Sequence, residues 1–150
     1  MEKDSIGNRI KANYENRYRF SLTRRTPVII RLDGRAFHSV TRDFKKPFDE
    51  RFAEIMDDTA LYLCEEIQGA KCAYVQSDEI SILLTDFDKL TTDAWFDYNI
   101  QKMTSISAGL VSVFFSLLLG QTAVFDSRVF NIPVEEPVRH RKRIEKKPKQ

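Results

Sequence analysis

The sequence has few of the residues on which several classes of active site depend. Its 150 residues include only five glycines, two cysteines and two histidines. Because no glycine-rich P-loop is present, any triphosphate would have to be bound by metal ions, lysine and backbone groups. The histidines, His38 and His140, accompany no nucleophile elbow, which argues against a serine or cysteine hydrolase. The spacing of Cys64 and Cys72 fits neither a zinc site nor a disulfide framework, so we expect a reducing compartment.

We expect no signal peptide from the N-terminal residues of the sequence. Its first residues, 1–4, are charged and lead into an amphipathic segment without an apolar core, so we expect a cytoplasmic location. Residues 103–125 carry no charge and could nominally span a bilayer. Hydroxyl side chains dilute this run and Gly120 interrupts it, so we expect that the segment does not enter a membrane. We expect instead a buried helix that packs closely against a sheet. Its predicted apolar face comprises Ile106, Leu110, Val113, Phe114 and Leu117, beside a small-residue stripe of Ala108, Ser112 and Ser116.

Length and charge predict one domain followed by a tail. The 42% apolar content is enough for a single core. Residues 139–150 hold seven Lys or Arg and one acid, which leaves 17 basic and 21 acidic residues in the rest of the chain. We therefore predict a catalytic domain over 1–133 and a disordered basic tail over 134–150. Such a tail is either a nucleic-acid-binding arm or a solvated chain end.

Periodicity predicts an α+β fold. The predicted order is a helix over 4–19, a strand over 28–33, a helix over 49–68, strands over 72–76 and 80–84, a helix over 103–120 and a strand over 125–132. Without the first helix, this order is the ferredoxin-like βαββαβ arrangement, a palm-like antiparallel sheet packed with helices. In that layout the first strand and the hairpin can be neighbours.

Acidic residues end two of the predicted strands. Asp33-Gly34 follows the first strand, and Ser77-Asp78-Glu79 forms the predicted hairpin tip. Both groups of residues are also common in ordinary polar turns, so a purely structural role for each group stays open. Neighbouring strands lie about 4.8 Å apart, and two-metal phosphoryl-transfer sites hold ions about 3.5–4 Å apart. Asp33 and Asp78 could therefore converge on metal ions if their strands are neighbours.

Four motifs together are more specific than either acidic group alone. They are Arg31–His38 (RLDGRAFH), Phe44–Pro47 (FKKP), Tyr74–Ser81 (YVQSDEIS) and Phe125–Val129 (FDSRV). In order, spacing and content they resemble the tRNA-histidine guanylyltransferase family, including its 3′-to-5′ polymerase relatives. The resemblance covers about residues 5 to 133. Family members usually continue with helices that support tRNA binding, so we expect this chain to lack the usual C-terminal part.

The resemblance implies a nucleotidyltransferase that adds guanosine, or other nucleotides, to the 5′ end of tRNA. ATP would first adenylylate the tRNA 5′-monophosphate, and the 3′-hydroxyl of GTP would then attack. Asp33 and Asp78 resemble the catalytic carboxylates that bridge two Mg²⁺ ions, with the Gly34 carbonyl as a further ligand. Glu79 is assigned a supporting catalytic role, because it would point to the opposite face of a regular strand from its neighbour Asp78.

Further residues match family positions near nucleotide or RNA. The resemblance places Lys46 and Ser77 beside the triphosphate, His38 near a bound nucleotide, and Lys102 and Arg128 at phosphates or tRNA. It also implies a homo-oligomer, either a dimer or a tetramer. Two alternatives stay open: another two-metal palm enzyme that uses nucleoside triphosphates, such as a cyclase-like enzyme, or a truncated, non-catalytic module for RNA binding or oligomerisation.

Overall fold

Alternating β-branched residues and helical apolar repeats produce the predicted mixture of elements. A computed structural model describes residues 5–35, 50–135 and 144–145. The helices are α1 (Ser5–Asn13), α2 (Glu50–Glu66) and α3 (Ile100–Leu119), and the strands are β1 (Val28–Gly34), β2 (Ala70–Gln76), β3 (Glu79–Leu84), β4 (Phe125–Asn131) and β5 (Ile144–Glu145). Short 3₁₀ segments cover Glu15–Tyr18 and Trp95–Tyr98.

The strands form one antiparallel sheet in the spatial order β4-β1-β3-β2-β5. The chain order from β1 to β4 is βαββαβ, which confirms the predicted ferredoxin-like α+β fold. Strand β1 therefore lies between β4 and the β2–β3 hairpin. This central position brings the end of β1 beside the hairpin tip.

Alternation along the strands separates a buried face of the sheet from an open one. Val28, Ile30 and Leu32 of β1 are fully buried on the face that α2 and α3 cover. Arg31 and Asp33 belong to the opposite face, where Arg31 is exposed and Asp33 is half-buried. Asp33 therefore lies on the face opposite the apolar layer.

Helix α2 follows its predicted periodicity. Its buried residues are Ile55, Met56, Thr59, Ala60, Leu63 and Cys64. The helix ends at Glu66, and Gly69 then adopts a φ of 87°. This left-handed conformation favours glycine, and a Cβ atom there would lie 2.9 Å from the Thr85 carbonyl oxygen. Gly69 therefore turns the chain from α2 into β2.

Helix α3 differs from its predicted orientation. Its buried residues are Met103, Ser107, Val111, Phe115 and Leu119, whereas Val113 and Leu117 of the predicted face are 63% and 76% exposed. By length and composition alone the helix could span a membrane, but it packs against β4 and α2. Because α3 is apolar on most sides, its periodicity did not identify the sheet-facing side. Gly120 ends the helix in a left-handed conformation, as predicted.

The N-terminal segment forms a helix but buries no side chain of α1. The expected helix over 4–19 divides into α1 and the 3₁₀ segment Glu15–Tyr18. Ile6 and Ile10, which define its apolar side, are 62% and 49% exposed. Residues 36–49 and most of the basic tail lie outside the described residues, although Ile144–Glu145 pairs with β2. The domain boundary at residue 133 stays a prediction.

Candidate active site

The end of β1 lies directly beside the hairpin tip. The Gly34 backbone N–H donates a 3.0 Å hydrogen bond to the carbonyl oxygen of Asp78. Asp33, one residue earlier, is paired in register with Glu79, the first residue of β3. Backbone pairing therefore brings the two predicted metal-binding acids onto adjoining backbone segments at the end of β1.

The hairpin loop that carries Asp78 is as short as a hairpin allows. Gln76 pairs with Glu79, so Ser77 and Asp78 alone form the loop. Ser77 adopts a φ of 56°, which is unfavourable for a residue with a Cβ atom. Strained residues of this kind concentrate at functional sites, where the surrounding structure holds them. The strain is consistent with the predicted position of Ser77 at the triphosphate.

Negative charges converge on Asp78. Partial burial raises the pKa of its carboxyl, and the charges of Asp33 and Glu79 raise it further, against a lowering backbone hydrogen bond. The negative charge of Asp33 thus reaches the Asp78 carboxyl from the neighbouring strand. A cation between them would relieve that repulsion.

The strand register arranges the open face of the sheet into rows. One row runs across four strands, through Gln76, Glu79, Asp33 and Asp126. Glu79 and Asp33 are directly paired and so share the open face. Asp78 belongs to the loop, so strand alternation does not relate its side chain to that of Glu79, and the expectation that the two point to opposite faces stays a prediction. Asp126 completes a line of three carboxylates.

A row of basic and hydroxyl residues lies next to the acidic row. It runs through Tyr74, Ser81, Arg31 and Arg128. Arg31 forms an ion pair with Glu79, while Nη1 of Arg128 lies 4.0 Å from Oδ2 of Asp33 and 3.9 Å from Oδ1 of Asp126. Each arginine therefore neutralises acids on its own face of the sheet. Sequence reasoning assigned no role to Arg31 or Asp126, although their two-residue spacing from Asp33 and Arg128 was the available signal.

The donor atoms at the strand end suit a hard divalent cation. Asp33 and Asp78 supply carboxylate oxygens, and Gly34 is adjacent to both through its backbone. Within the described residues, no cluster of three or more His, Cys, Asp or Glu side chains has a metal-binding arrangement. Two carboxylates together with carbonyl, water or phosphate oxygens would suit Mg²⁺, which is commonly held in this way at phosphoryl-transfer sites.

Lys102 lies away from the acidic row. It is in the first turn of α3, on the helix-covered side of the sheet, with its Nζ 5.0 Å from the centroid of the Phe96 ring. There it lines a cavity of about 740 Å³ together with Lys11 and Arg19. Arg128, in contrast, lies on the open face beside Asp33. The structure brings Asp33, Gly34, Ser77, Asp78, Glu79 and Arg128 together, whereas His38 and Lys46 are outside the described residues.

Comparison with known proteins identifies the family. The family model described as tRNAHis guanylyltransferase matches residues 7–133. An uncharacterized protein of Acanthamoeba polyphaga mimivirus is 32% identical over 84% of this chain, and a probable tRNA(His) guanylyltransferase of Dictyostelium discoideum is 30% identical over 75%. The chain spans only 51% and 46% of these relatives, about half of their length.

Solved structures agree with this result. A bacterial tRNA(His) guanylyltransferase-like protein in complex with GTP is 47% identical, with a TM-score of 0.85, over 89% of this chain and 66% of its own. A bacterial tRNA(His) guanylyltransferase-like protein in complex with ATP is 46% identical, with a TM-score of 0.84, over 88% of this chain and 61% of its own. The yeast enzyme, at 19% identity and a TM-score of 0.70, shares the fold. The four motifs, the βαββαβ sheet and these matches together show that the chain belongs to the tRNAHis guanylyltransferase family.

Proposed function

We propose that the described domain is the catalytic palm of a nucleotidyltransferase that extends the 5′ end of tRNA with guanosine or another nucleotide. The observation that carries the proposal is that Asp33 and Asp78 lie on adjoining backbone segments, because the N–H of Gly34, the residue after Asp33, donates a 3.0 Å hydrogen bond to the carbonyl oxygen of Asp78. Relatives that bear the guanylyltransferase name, and related structures holding GTP or ATP, support nucleotide substrates.

The proposed reaction has two phosphoryl transfers. An oxygen of the tRNA 5′-monophosphate attacks the α-phosphorus of ATP, and pyrophosphate leaves. The 3′-hydroxyl of GTP then attacks the activated 5′-phosphorus, and AMP leaves. Two Mg²⁺ ions, when bound, would neutralise triphosphate charge and lower the pKa of the attacking hydroxyl.

The chain's own residues would orient these reactants. Asp33, Asp78 and the Gly34 carbonyl would hold the cations at the end of β1, beside the hairpin loop. Ser77, held by the two-residue loop, would direct its hydroxyl toward the triphosphate. Glu79, through its ion pair with Arg31, would maintain the charge balance of the row. The predicted contributions of His38 and Lys46 lie on residues that the structure does not describe.

A nucleotide-transfer assay tests the proposal. The wild-type chain is incubated with Mg²⁺, ATP, GTP and 5′-monophosphorylated tRNA that lacks its 5′ guanosine, and the products are resolved on gels. We expect Asp33→Asn and Asp78→Asn each to lower the rate by more than about a hundredfold, because several kcal/mol of transition-state charge stabilisation would be lost. Asp58→Asn, on the exposed surface of α2, is the matched control and should retain the wild-type rate.

Each outcome of this assay distinguishes the functional alternatives. Absence of both adenylylated and extended tRNA with the wild-type chain would contradict the proposal. Triphosphate turnover without tRNA would indicate a different palm enzyme, such as a cyclase-like enzyme. RNA binding that is indifferent to loss of Asp33 and Asp78 would indicate a non-catalytic module.

A further inference from the structure

Arg128 contacts two acids at once on the open face of the sheet. Its Nη1 atom lies 4.0 Å from Asp33 and 3.9 Å from Asp126, and both acids follow the same cross-strand row. Asp33 is one of the two carboxylates proposed to hold cations. The positive guanidinium of Arg128 thus lies close to where a metal ion bound to Asp33 would lie.

These contacts are loose and solvent-accessible, so they can be exchanged. The side chain of Arg128 is 64% exposed, and those of Asp33 and Asp126 are 40% and 54% exposed. Exposed ion pairs with such separations contribute little to stability. An arginine guanidinium also forms bidentate hydrogen bonds with phosphate oxygens. In the proposed reaction, the phosphates of the substrate would be the anions nearest to this strand end.

We propose that Arg128 is a positioning residue that acts as an internal counter-ion for Asp33 and changes partner when a divalent cation binds. In the metal-free chain, Arg128 neutralises Asp33. When a cation takes Asp33, Asp126 retains the guanidinium beside the site, and Arg128 turns to the triphosphate. This inference rests on the proposed function, because it requires Asp33 to bind metal. It predicts that Arg128 opposes binding of the metal alone and favours binding of the metal with triphosphate.

Two titrations on the full chain test the exchange. Mn²⁺, a paramagnetic substitute for Mg²⁺, is titrated alone and followed by electron paramagnetic resonance. Inorganic tripolyphosphate is titrated in saturating Mg²⁺ and followed by calorimetry. We expect Arg128→Gln to bind Mn²⁺ about two- to fivefold more tightly, as removal of an exposed competing ion pair implies. The same variant should bind tripolyphosphate about tenfold more weakly, through loss of a charge-assisted contact.

Two further variants separate this exchange from general effects. Lys71→Gln removes the same charge from another exposed ion pair, with Asp88, and should leave both affinities within twofold of the wild type. Asp126→Asn should bind Mn²⁺ with at most a twofold change but bind tripolyphosphate more weakly, because Arg128 loses the partner that retains it. Melting curves of all variants confirm that each is folded.

The opposite signs of the two changes are the decisive result. A purely structural role for Arg128 would weaken both ligands, and a general charge effect would change Arg128→Gln and Lys71→Gln alike; either result overturns the inference. Unchanged Mn²⁺ affinity in Arg128→Gln, with normal binding by the wild type, overturns the inference and leaves the proposed function intact. Failure of the wild type to bind Mn²⁺ at all overturns the metal site and the inference together.

Discussion

Ser77 combines an unfavourable backbone conformation with a proposed role at the substrate. Its φ of 56° is one that L-residues with a side chain adopt at a cost of about 1 kcal/mol. Because the loop contains just two residues, Ser77 cannot relax without disturbing the pairing of Gln76 with Glu79. A glycine would fit this backbone better than a serine. A contact between the Ser77 hydroxyl and the substrate would explain why a serine occupies this position.

Substitution of Ser77 separates strain from function. We expect Ser77→Gly to raise the free energy of unfolding by about 1 kcal/mol, since glycine tolerates positive φ. Ser77→Ala keeps the strain and should leave stability nearly unchanged. Urea unfolding measures both effects. Both variants should bind tripolyphosphate more weakly in the presence of Mg²⁺; equal affinity in all three proteins would show that the hydroxyl does not contact triphosphate.

Helix α3 is joined to β4 by serine hydrogen bonds rather than by apolar contacts alone. Ser116 Oγ accepts a 2.8 Å hydrogen bond from the Ala123 N–H and donates a 3.0 Å one to the Ala123 carbonyl. Ser112 Oγ accepts from the Phe125 N–H at 2.9 Å, and the hydroxyls of Ser107 and Ser127 lie 2.7 Å apart. The serines therefore satisfy backbone groups where the chain enters β4.

Ser116→Ala should destabilise the fold by about 1–2 kcal/mol. Ala123 is 3% exposed, so its N–H and carbonyl would lose their partner without full access to water. Alanine's higher helix propensity offsets about 0.5 kcal/mol of this cost. Chemical denaturation of the purified variant measures the change.

Ser105→Ala is the matched control, because Ser105 lies on the exposed side of the same helix and donates only to the Lys102 carbonyl. This variant should be neutral or slightly more stable. Equal losses for both variants would indicate that the Ser116 hydrogen bonds contribute nothing specific.

The strands and α2 were predictable, whereas the orientation of α3 was not. In α2 the apolar residues recur at helical spacing with polar residues between them, so the sequence alone defines the buried face of the helix. In α3 the buried stripe includes Ser107, while Val113 and Leu117 remain exposed. Its orientation follows from hydrogen bonds to β4, which are tertiary contacts that local periodicity does not encode.

At the scale of the whole molecule, a buried acid attaches the N-terminal segment to the loop after β3. Asp86 is fully buried and accepts hydrogen bonds from Arg24 Nε at 2.6 Å and from the Arg25 backbone N–H at 2.9 Å. The Arg25 guanidinium also donates to the carbonyls of Asp86, Lys89 and Leu90. Residues that are about sixty positions apart in sequence are therefore held together immediately before β1.

Asp86→Asn should lower the free energy of unfolding by about 1–3 kcal/mol. The amide retains the size of the side chain but places a donor where Arg24 or the Arg25 N–H needs an acceptor. Arg24 is partly exposed, so water limits the loss to less than that of a fully buried pair. Urea denaturation measures the loss of unfolding free energy, provided that the dependence of this free energy on urea concentration is unchanged. Asp58→Asn serves as the neutral reference. A loss of unfolding free energy below about 0.3 kcal/mol would contradict the role assigned to Asp86.

The site was only partly predictable, because sequence motifs indicate identity but not placement. The resemblance named Asp33, Asp78 and Arg128, and strand order brought them together. The pairing of Glu79 with Asp33 was not predicted, because it depends on where the hairpin loop begins. Lys102 lies on the other side of the sheet, which depends on how α3 crosses β4. The homo-oligomer, the tRNA partner, the cytoplasmic location and the role of the basic tail stay predictions.

The central position of β1 also restricts how the chain can change in length. Asp33 lies in the acidic row because it directly follows the buried Leu32, and successive residues of a strand point to opposite faces of the sheet. One residue inserted or deleted within β1 would exchange its two faces, moving a carboxylate into the core and an apolar side chain to the site. Strand β1 should therefore tolerate substitutions on its open face better than a single-residue insertion or deletion.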